Sequence, residues 1–267
     1  MKIIQGNQLV YYEQAATPEF WDHRWQDLQE DLGRHTQFQL PGIIFNVLNA
    51  SVPKGGRILE AGCGTGTIVY ALNACGWRCT GVDFAQHTIE ALQRIKPELD
   101  VLTADVRRLP FPDETFEGYV SIGVIEHFFE GYSGIFQEMN RVLRRHGTAL
   151  ISFPAMNPLR RIKKGLRLYP TTYNPGSNEE PLEFYQFALD HRNVVRDLRD
   201  LGYSIKAIQW YEAWLGLADE SPGALGRVFR RIYNNRTSKM CSVVRRTVEP
   251  LAGLMGYCCQ VVAQKNS

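Results

Sequence analysis

The chain has 267 residues, of which 44% are hydrophobic and 22% are charged, and its formal net charge is +2. These values are typical of a folded globular protein, and they exclude a disordered chain and one that binds nucleic acid through its overall charge. The length fits one large α/β domain or one domain with a cap.

The cysteines and the apolar runs bear on the cellular compartment. No stretch reaches the roughly 18 consecutive apolar residues that cross a membrane, and the first residues lack the apolar run of a signal peptide. The six cysteines show no repeated C-x-x-C spacing, so neither a metal site nor a disulfide framework is indicated. We therefore expect a soluble, cytoplasmic protein with reduced thiols.

Two helices are predicted ahead of the first core strand. The first runs from Pro18 to Asp31, because Thr17 can cap its start and proline is favoured at the first helical position. One face of it is aromatic and carries Phe20, Trp21 and Trp25. This face can pack on the core or cover a ligand site as a lid. A second helix follows at Leu40–Ala50, and we treat residues 1–52 as an N-terminal helical lid.

The stretch from Arg57 to Gly66 reads RILEAGCGTG, a short apolar strand that breaks into a glycine turn and then a helix. Such a turn brings backbone N–H groups and a helix N-terminus close to a ligand. The spacing differs from the G-x-G-x-x-G fingerprint of dinucleotide sites, and Glu60 would repel a pyrophosphate. Both features favour a cationic ligand, and a tight turn without a ligand is the alternative.

An acid ends the next predicted strand, Trp77–Val82. A carboxylate at this place, Asp83, can accept hydrogen bonds from both hydroxyls of a ribose. It can also cap the helix that starts near Gln86. The neighbouring Phe84 can lie against an adenine face.

Strands and helices then alternate along the rest of the chain. The further predicted strands are Asp100–Leu102, Gly118–Ile122, Thr148–Phe153, Ser204–Trp210 and Tyr257–Gln264, and the further helices are Thr88–Ile95, Ile135–Leu143 and Asn193–Leu201. Alternation of this kind demands a parallel sheet with helices on both faces. We predict an α/β fold with a doubly wound, mostly parallel seven-stranded sheet.

Two motifs carry a family resemblance. The loop Glu60–Gly66 resembles the E/D-x-G-x-G-x-G loop of class I S-adenosylmethionine (SAM) dependent methyltransferases. The segment Leu109–Phe128 resembles the L-P-F-x-D-x-S-F-D pattern and the following E-H pair of the quinone-biosynthesis type, the methyltransferase type 11 group. The resemblance is strong over Arg57–Phe153. It implies a Rossmann-like methyltransferase fold with a SAM-binding core at residues 53–153.

The resemblance also implies the cofactor and its contacts. SAM would be the methyl donor and S-adenosylhomocysteine the product. The expected cofactor-binding residues are Glu60, Gly62, Cys63, Gly64, Gly66, Asp83, Phe84, Asp105, Val106 and Ile122. In the resembled family the acid at Asp105 bonds the exocyclic amino group of adenine.

His127 is our preferred base for a hydroxyl acceptor. It follows the fourth core strand, and the ordinary pKa of histidine suits proton transfer near neutrality. A structural role for this histidine is the alternative, and His35 and His191 are the reserve candidates.

Two stretches, residues 154–191 and 212–254, fall outside the alternation. Both follow the C-terminal ends of late strands, where open α/β sheets build their binding crevice, so we expect them to form a helical cap that selects the substrate. Each contains apolar residues at helical spacing among arginines and lysines. Such helices can lie on an anionic membrane, hold an acidic substrate, or pack on the sheet with solvated arginines.

We therefore predict a single methyltransferase domain over residues 1–267. It would move a methyl group to a small-molecule acceptor that is aromatic, lipid-like or sugar-containing, with oxygen as the favoured atom. A non-catalytic SAM-binding partner protein and an RNA methyltransferase are the alternatives, and the glycine spacing disfavours a nicotinamide oxidoreductase. DNA is not expected, since the segment SIGVIEHF lacks an N-P-P-Y type tetrapeptide.

Overall fold

A computed structural model describes residues 1–25, 40–172, 182–235 and 239–267. The strands are β1 (Lys2–Gln5), β2 (Gln8–Glu13), β3 (Arg57–Ala61), β4 (Arg78–Asp83), β5 (Asp100–Thr103), β6 (Phe116–Ile122), β7 (Leu143–Pro154), β8 (Glu183–Ala188), β9 (Tyr203–Tyr211) and β10 (Cys258–Lys265). The helices are α1 (described over 18–25), α2 (Gly42–Ser51), α3 (Thr67–Ala74), α4 (Gln86–Ile95), α5 (Ser133–Val142), α6 (Pro158–Gly165), α7 (His191–Asp200), α8 (Ala213–Glu220), α9 (Gly223–Asn234), α10 (Lys239–Val248) and α11 (Ala252–Met255). Short 3₁₀ turns lie at Ile125–His127 and Glu249–Leu251.

The main sheet has seven strands in the order β5-β4-β3-β6-β7-β10-β9. The first five strands are parallel, and β10 runs antiparallel between β7 and β9. This confirms the predicted doubly wound, mostly parallel sheet. Its centre is apolar on both faces because helices cover each side, as the near-continuous burial of β3 and β7 shows.

The glycine turn after β3 is shaped by its close packing. Gly62 and Gly66 both have positive φ, and a Cβ on Gly62 would overlap Val124 while one on Gly66 would overlap Leu92. Gly66 is the residue immediately before α3, so the turn delivers the chain directly into a helix. The predicted strand, turn and helix are therefore confirmed at this position.

A second, three-stranded antiparallel sheet has the order β1-β2-β8. The expectation that residues 1–52 are helical is wrong for residues 2–13, which form a hairpin. Two runs rich in β-branched and aromatic residues flank a Gly6-Asn7 turn there, which is a hairpin signal. The strand β8 lies inside the first insertion, which the sequence analysis expected to be helical.

The predicted start of α1 is confirmed, because the Phe20 N–H donates to the Thr17 hydroxyl over 3.2 Å. Asp22 then fixes this helix to the core. Its Oδ1 accepts from both the backbone N–H and the hydroxyl of Thr88, each at 2.7 Å, and so caps the start of α4. Residues 26–31 of the predicted helix, and His35, lie outside the described residues.

The remaining helices form a cap in which a buried arginine joins the two insertions. Arg160 of α6 is fully buried, and its guanidinium contacts Asp219 at 3.0 Å and Glu220 at 3.1 Å, both at the end of α8. The expectation that the arginines of the insertions are solvated is therefore wrong for Arg160. Removing one partner of a buried ion pair typically costs about 3–5 kcal/mol, so this contact holds the cap together. Among the described helices, none has the length and apolar character needed to cross a bilayer.

Candidate active site

One cavity of about 500 Å³ lies at the C-terminal edge of the parallel strands, between the main sheet, the second sheet and the cap. This volume falls within the range of about 300–1,000 Å³ that is usual for small-molecule sites. Seven of the predicted site residues line it: Gly62, Asp83, Phe84, Asp105, Val106, Ile122 and His127. Four do not line it: Glu60, Cys63, Gly64 and Gly66.

Asp83 ties the glycine turn to the end of β4. Its Oδ2 accepts from the Gly64 N–H at 2.8 Å, and its Oδ1 accepts from the Ala85 N–H at 3.0 Å. Burial raises the pKa of Asp83, and these backbone donors oppose that rise. The Phe84 N–H also bonds this carboxylate. Since a carboxylate has about four acceptor positions, Asp83 keeps room for a further donor.

Glu60 lies beneath the glycine turn and does not reach the cavity wall. Burial raises its pKa well above the usual range, and a backbone hydrogen bond from Val69, near the start of α3, opposes the rise. One of its oxygens, Oε2, has no hydrogen-bond partner among the described residues. Of the three acids expected around the cofactor, the cavity therefore brings two together, and cofactor binding by Glu60 stays a prediction.

Asp105 is half-exposed and paired with Arg107. The Arg107 guanidinium bonds both carboxylate oxygens, with 2.7 Å between Nη2 and Oδ2, and this contact lowers the pKa of Asp105. The same guanidinium lies 5.0 Å from the ring centre of Phe128. Asp105 is thus held as a fixed carboxylate at the cavity wall.

Aromatic side chains of α1 cover the glycine turn. Trp21 and Trp25 stack with their ring centres 5.5 Å apart. A Cβ on Gly64 would lie 3.2 Å from the Trp25 ring, so even an alanine there would press against the indole. Arg24, between the two tryptophans, also lines the cavity and brings a positive charge to it. The described part of α1 therefore covers the glycine turn, and a lid function stays a prediction.

His127 has a fixed tautomer. Its Nδ1 lies 2.8 Å from the backbone carbonyl of Tyr185, and a carbonyl can only accept, so Nδ1 carries the proton and Nε2 keeps a lone pair. Burial lowers the pKa of His127 to about 4. The imidazole is therefore neutral at pH 7 and able to accept a proton at Nε2.

A β-bulge frees that carbonyl. Tyr11 of β2 pairs with Gln186, but the next residue, Tyr12, pairs with Phe184, so Tyr185 is the extra residue of β8. The backbone of Tyr185 thus leaves the strand ladder and reaches His127.

Glu126 is a cavity residue to which the sequence analysis gave no role, although it belongs to the E-H pair. Its side chain is almost fully buried, and Oε1 lies 3.9 Å from Nε2 of His127. In the part of the chain that the structure describes, Oε2 has no hydrogen-bond partner. Burial raises the pKa of Glu126 to about 8, so the carboxyl group is mostly protonated at pH 7. Two titratable groups with opposite shifts therefore meet at one point of the wall.

The opposite end of the cavity is aromatic and polar, and sequence reasoning missed it. The residues there are Tyr11, Tyr185, Gln186, Asp219, Arg230, Tyr211 and Tyr257. Gln186 donates to the Tyr257 hydroxyl over 2.8 Å, and the Tyr211 hydroxyl contacts Ser152. These residues come from β2, β8, α8, α9, β9 and the residue just before β10, and no local motif unites them.

The reserve histidine that can be located does not belong to the site. His191, at the start of α7, packs edge-on against Trp210 with ring centres 5.1 Å apart, and it does not line the cavity. His35 lies outside the described residues.

Comparison with known proteins gives the family. The family model described as a methyltransferase domain matches residues 59–151. A phosphatidylethanolamine N-methyltransferase of Cereibacter sphaeroides is 30% identical over 45% of this chain and 62% of its own length. A demethylmenaquinone methyltransferase of Bacillus licheniformis is 34% identical over 36% of this chain and 44% of its own length. The chain spans about half the length of the first curated relatives it matches.

A solved structure supports the fold. A SAM-dependent methyltransferase from Methanosarcina mazei superposes with a TM-score of 0.58 at 17% identity, covering 85% of this chain and 99% of the other. At that identity the likeness concerns the fold alone. Taken with the family match over β3 to β7, it confirms the resemblance drawn from the glycine loop and the E-H pair. Residues 59–151 thus match a methyltransferase domain, and the chain is similar to the class I S-adenosylmethionine-dependent methyltransferases.

Proposed function

We propose that the protein transfers a methyl group from SAM to a small-molecule acceptor. One observation carries the proposal: a single cavity holds Asp83, Phe84 and Asp105 on one side and Glu126 with His127 on another. The first group has the chemistry to bind a nucleoside, and the second has the chemistry to take up a proton. An enzyme must hold the methyl donor and the acceptor next to each other, and one cavity with both groups of residues can do this.

The cofactor side of the cavity fits SAM. Asp83 keeps room to accept a further hydrogen bond from a ribose hydroxyl, and the partly exposed ring of Phe84 offers a flat apolar surface to a base. The Asp105 carboxylate can accept from an exocyclic amino group, and Arg24 can pair with the carboxylate of the amino-acid part. When bound, SAM supplies a methyl group that is already activated on a sulfonium.

The Glu126–His127 pair would handle the acceptor's proton. For a hydroxyl acceptor, the proton moves to Nε2 of His127, while the Tyr185 carbonyl keeps Nδ1–H in place. When the carboxyl group of Glu126 is ionised, its negative charge stabilises the imidazolium. Oxygen remains our proposed acceptor atom, since this pair serves a group that must lose a proton.

We propose an aromatic or lipid-like acceptor, with a sugar-containing one as the third class. The tyrosines at the polar end give ring surfaces and hydroxyls for such a molecule. The two relatives act, by their names, on phosphatidylethanolamine and on demethylmenaquinone, which supports this choice. We place the reaction in the cytoplasm, at an anionic membrane surface, and the thiols of Cys63, Cys79 and Cys259 are compatible with a reducing compartment.

Titration calorimetry with SAM and with NADH tests the proposal. We expect SAM to bind and NADH not to bind. Asp83→Asn should weaken SAM binding by about 10- to 100-fold, because it removes one charged acceptor from the ribose contact. Asp113→Asn, a surface carboxyl exposed by 74%, is the matched control and should bind SAM as the wild type does. Thermal unfolding of both variants shows whether the fold is intact.

A transfer assay completes the test. Labelled SAM is incubated with the protein and with aromatic phenols, quinols and lipid extracts, and we expect label in one of these acceptors. NADH binding without SAM binding would overturn the proposal. SAM binding without transfer to any acceptor, including RNA, would favour the non-catalytic partner protein.

A further inference from the structure

The outer side of the second insertion exposes apolar residues among arginines. On α9, Leu225 and Val228 are each 50% exposed, and on α10 Val243 is 60% exposed. Leu251 and Leu254, in the turns that follow, are exposed by 48% and 43%. We call these five residues, together with Arg227, Arg231 and Arg246, the α9–α11 surface. Exposed aliphatic side chains at this density on one insertion mark a binding surface rather than ordinary solvent contact.

The inner side of α9 is already packed. Phe229 lies against Trp214 with ring centres 5.2 Å apart, and the Trp214 indole donates to the Phe229 carbonyl over 2.8 Å. Within the described part of the chain, the face of α9 that carries Phe229 packs on α8, and Leu225 and Val228 stay exposed.

The acids of this insertion are engaged within the protein. Residues 212–254 contain four acids and seven arginines or lysines. Asp219 and Glu220 hold Arg160, Glu212 accepts from the Tyr233 hydroxyl at 2.8 Å, and Glu249 accepts from the Glu212 N–H at 2.9 Å. Arg227, Arg231 and Arg246 are exposed. The surface is thus positively charged, because the acids of the insertion make contacts within the protein. A negatively charged partner would complement it.

This surface adjoins the cavity. Arg230 lies on α9 between Arg227 and Arg231 and also lines the cavity, where its Nη2 is 3.3 Å from Oδ1 of Asp219. Whatever the α9–α11 surface contacts is therefore next to the acceptor end of the site.

We propose that the α9–α11 surface docks on an anionic lipid bilayer and so presents the cavity to an acceptor held in the membrane. Aliphatic residues interleaved with arginines suit the boundary between headgroups and acyl chains. Single-stranded RNA would instead select exposed aromatic residues for stacking, and the exposed large residues here are Leu and Val. The docking rests on the charge and exposure of this surface, and its use in catalysis rests on the proposed function.

Vesicle sedimentation tests the docking. We use vesicles of phosphatidylcholine alone and vesicles with about one third phosphatidylglycerol, at low and at physiological salt. We expect the protein to sediment with the anionic vesicles only, and less so as salt screens the charges. Arg227→Glu with Arg231→Glu should reduce the bound fraction at least about 10-fold, and Leu225→Ser with Val228→Ser should reduce it at unchanged charge.

The matched control is Arg94→Glu with Arg199→Glu, which makes the same charge change on exposed residues of α4 and α7. It should sediment as the wild type does. All variants should bind SAM equally in solution, which separates a failed docking surface from a failed cofactor site. Equal sedimentation of the α9 variants and the control would overturn the proposal. Tighter binding to RNA than to vesicles would also overturn it. A dimer that light scattering detects in the wild type and not in the α9 variants would do the same.

Discussion

The backbone carbonyl of Tyr185 determines which nitrogen of His127 can take up a proton. Because Nδ1–H donates to this carbonyl, Nε2 is the nitrogen that can accept a proton. Nε2 lies 3.9 Å from Oε1 of Glu126. Burial acts on the two residues in opposite directions, lowering the pKa of the imidazole to about 4 and raising that of the carboxyl group to about 8. Both groups are therefore neutral at pH 7, which lets them sit together without an unpaired buried charge.

These pKa values predict the pH profile of the reaction. With neutral His127 required, kcat/KM should stay high down to about pH 5 and fall only toward pH 4, well below the ordinary histidine value. As pH rises through about 8, Glu126 ionises and makes the neighbouring imidazole more basic, so the rate should rise again. Glu126→Gln should abolish this upper step and leave the lower limb in place.

Replacing the base itself gives the sharper outcome. His127→Gln should lower kcat by about 100- to 10,000-fold at every pH, with SAM affinity unchanged. His87→Gln is the control, because this histidine is 82% exposed and outside the cavity. Full turnover of the His127 variant across the pH range would refute its role as base.

At the scale of elements, Asp22 ties helix α1 to the core through hydrogen bonds. Asp22 of α1 accepts from the backbone and the hydroxyl of Thr88 at the start of α4, and α4 itself follows the Asp83 strand. Helix α1 also carries Trp25, whose ring lies over Gly64. The position of α1 above the glycine turn therefore depends on the hydrogen bonds by which its Asp22 caps the start of α4.

Breaking this cap should affect stability and binding together. Asp22→Ala should lower the free energy of unfolding by about 1–2 kcal/mol, because it leaves the Thr88 N–H without its acceptor, and it should weaken SAM binding. The control is Glu90→Ala, which removes a half-exposed acid of α4. Both variants are compared by urea unfolding and by calorimetry with SAM. Lost stability with unchanged SAM affinity would show that the lid has no part in cofactor binding.

The seven-stranded sheet could be predicted because each of its strand and helix units carries a local signal. Glycine turns, apolar runs and helix starts lie next to one another in sequence, as around Gly62 to Gly66. The second sheet could not be predicted as a unit, since β8 and the β1–β2 hairpin lie far apart in the chain and meet only in the fold. The burial of Arg160 was missed for the same reason, because its acids come from the other insertion.

The site divides in the same way. Asp83, Phe84 and Asp105 follow core strands directly and were named from the sequence. The aromatic and polar part of the cavity draws on β2, β8, β9, α8, α9 and Tyr257, and its tyrosines look like ordinary strand residues until the two sheets are brought together. Glu60 shows the limit of a motif, since the sequence identifies the acid but does not reveal that it lies beneath the loop.

At the scale of the whole molecule, one cavity links both sheets and the cap. Tyr11 and Tyr185 come from the second sheet, Asp83 and Ile122 from the main sheet, and Arg230 from the cap. A ligand that fills the cavity therefore stabilises contacts between all three parts. Its effect should be seen in the unfolding of the entire protein rather than in one segment.

Thermal unfolding with ligands checks this. At SAM about 100-fold above its dissociation constant, the folded state gains about 2.7 kcal/mol, which raises Tm by roughly 5–10 °C for a protein of this size. S-adenosylhomocysteine should act in the same way, and NADH should leave Tm unchanged. The shift at a fixed SAM concentration should shrink in Asp22→Ala. A stabilisation by NADH alone would contradict the cofactor assignment.

The extra residue in β8 has a consequence for how this enzyme family can diverge. A main-chain oxygen cannot be altered by exchanging one amino acid for another, so point mutation leaves the hydrogen bond to His127 in place. Deletion of one codon near Tyr185 would realign the ladder with β2 and withdraw that oxygen. Length variation in a segment remote from the glycine loop could thus remove the proposed proton transfer and leave the proposed cofactor contacts unchanged.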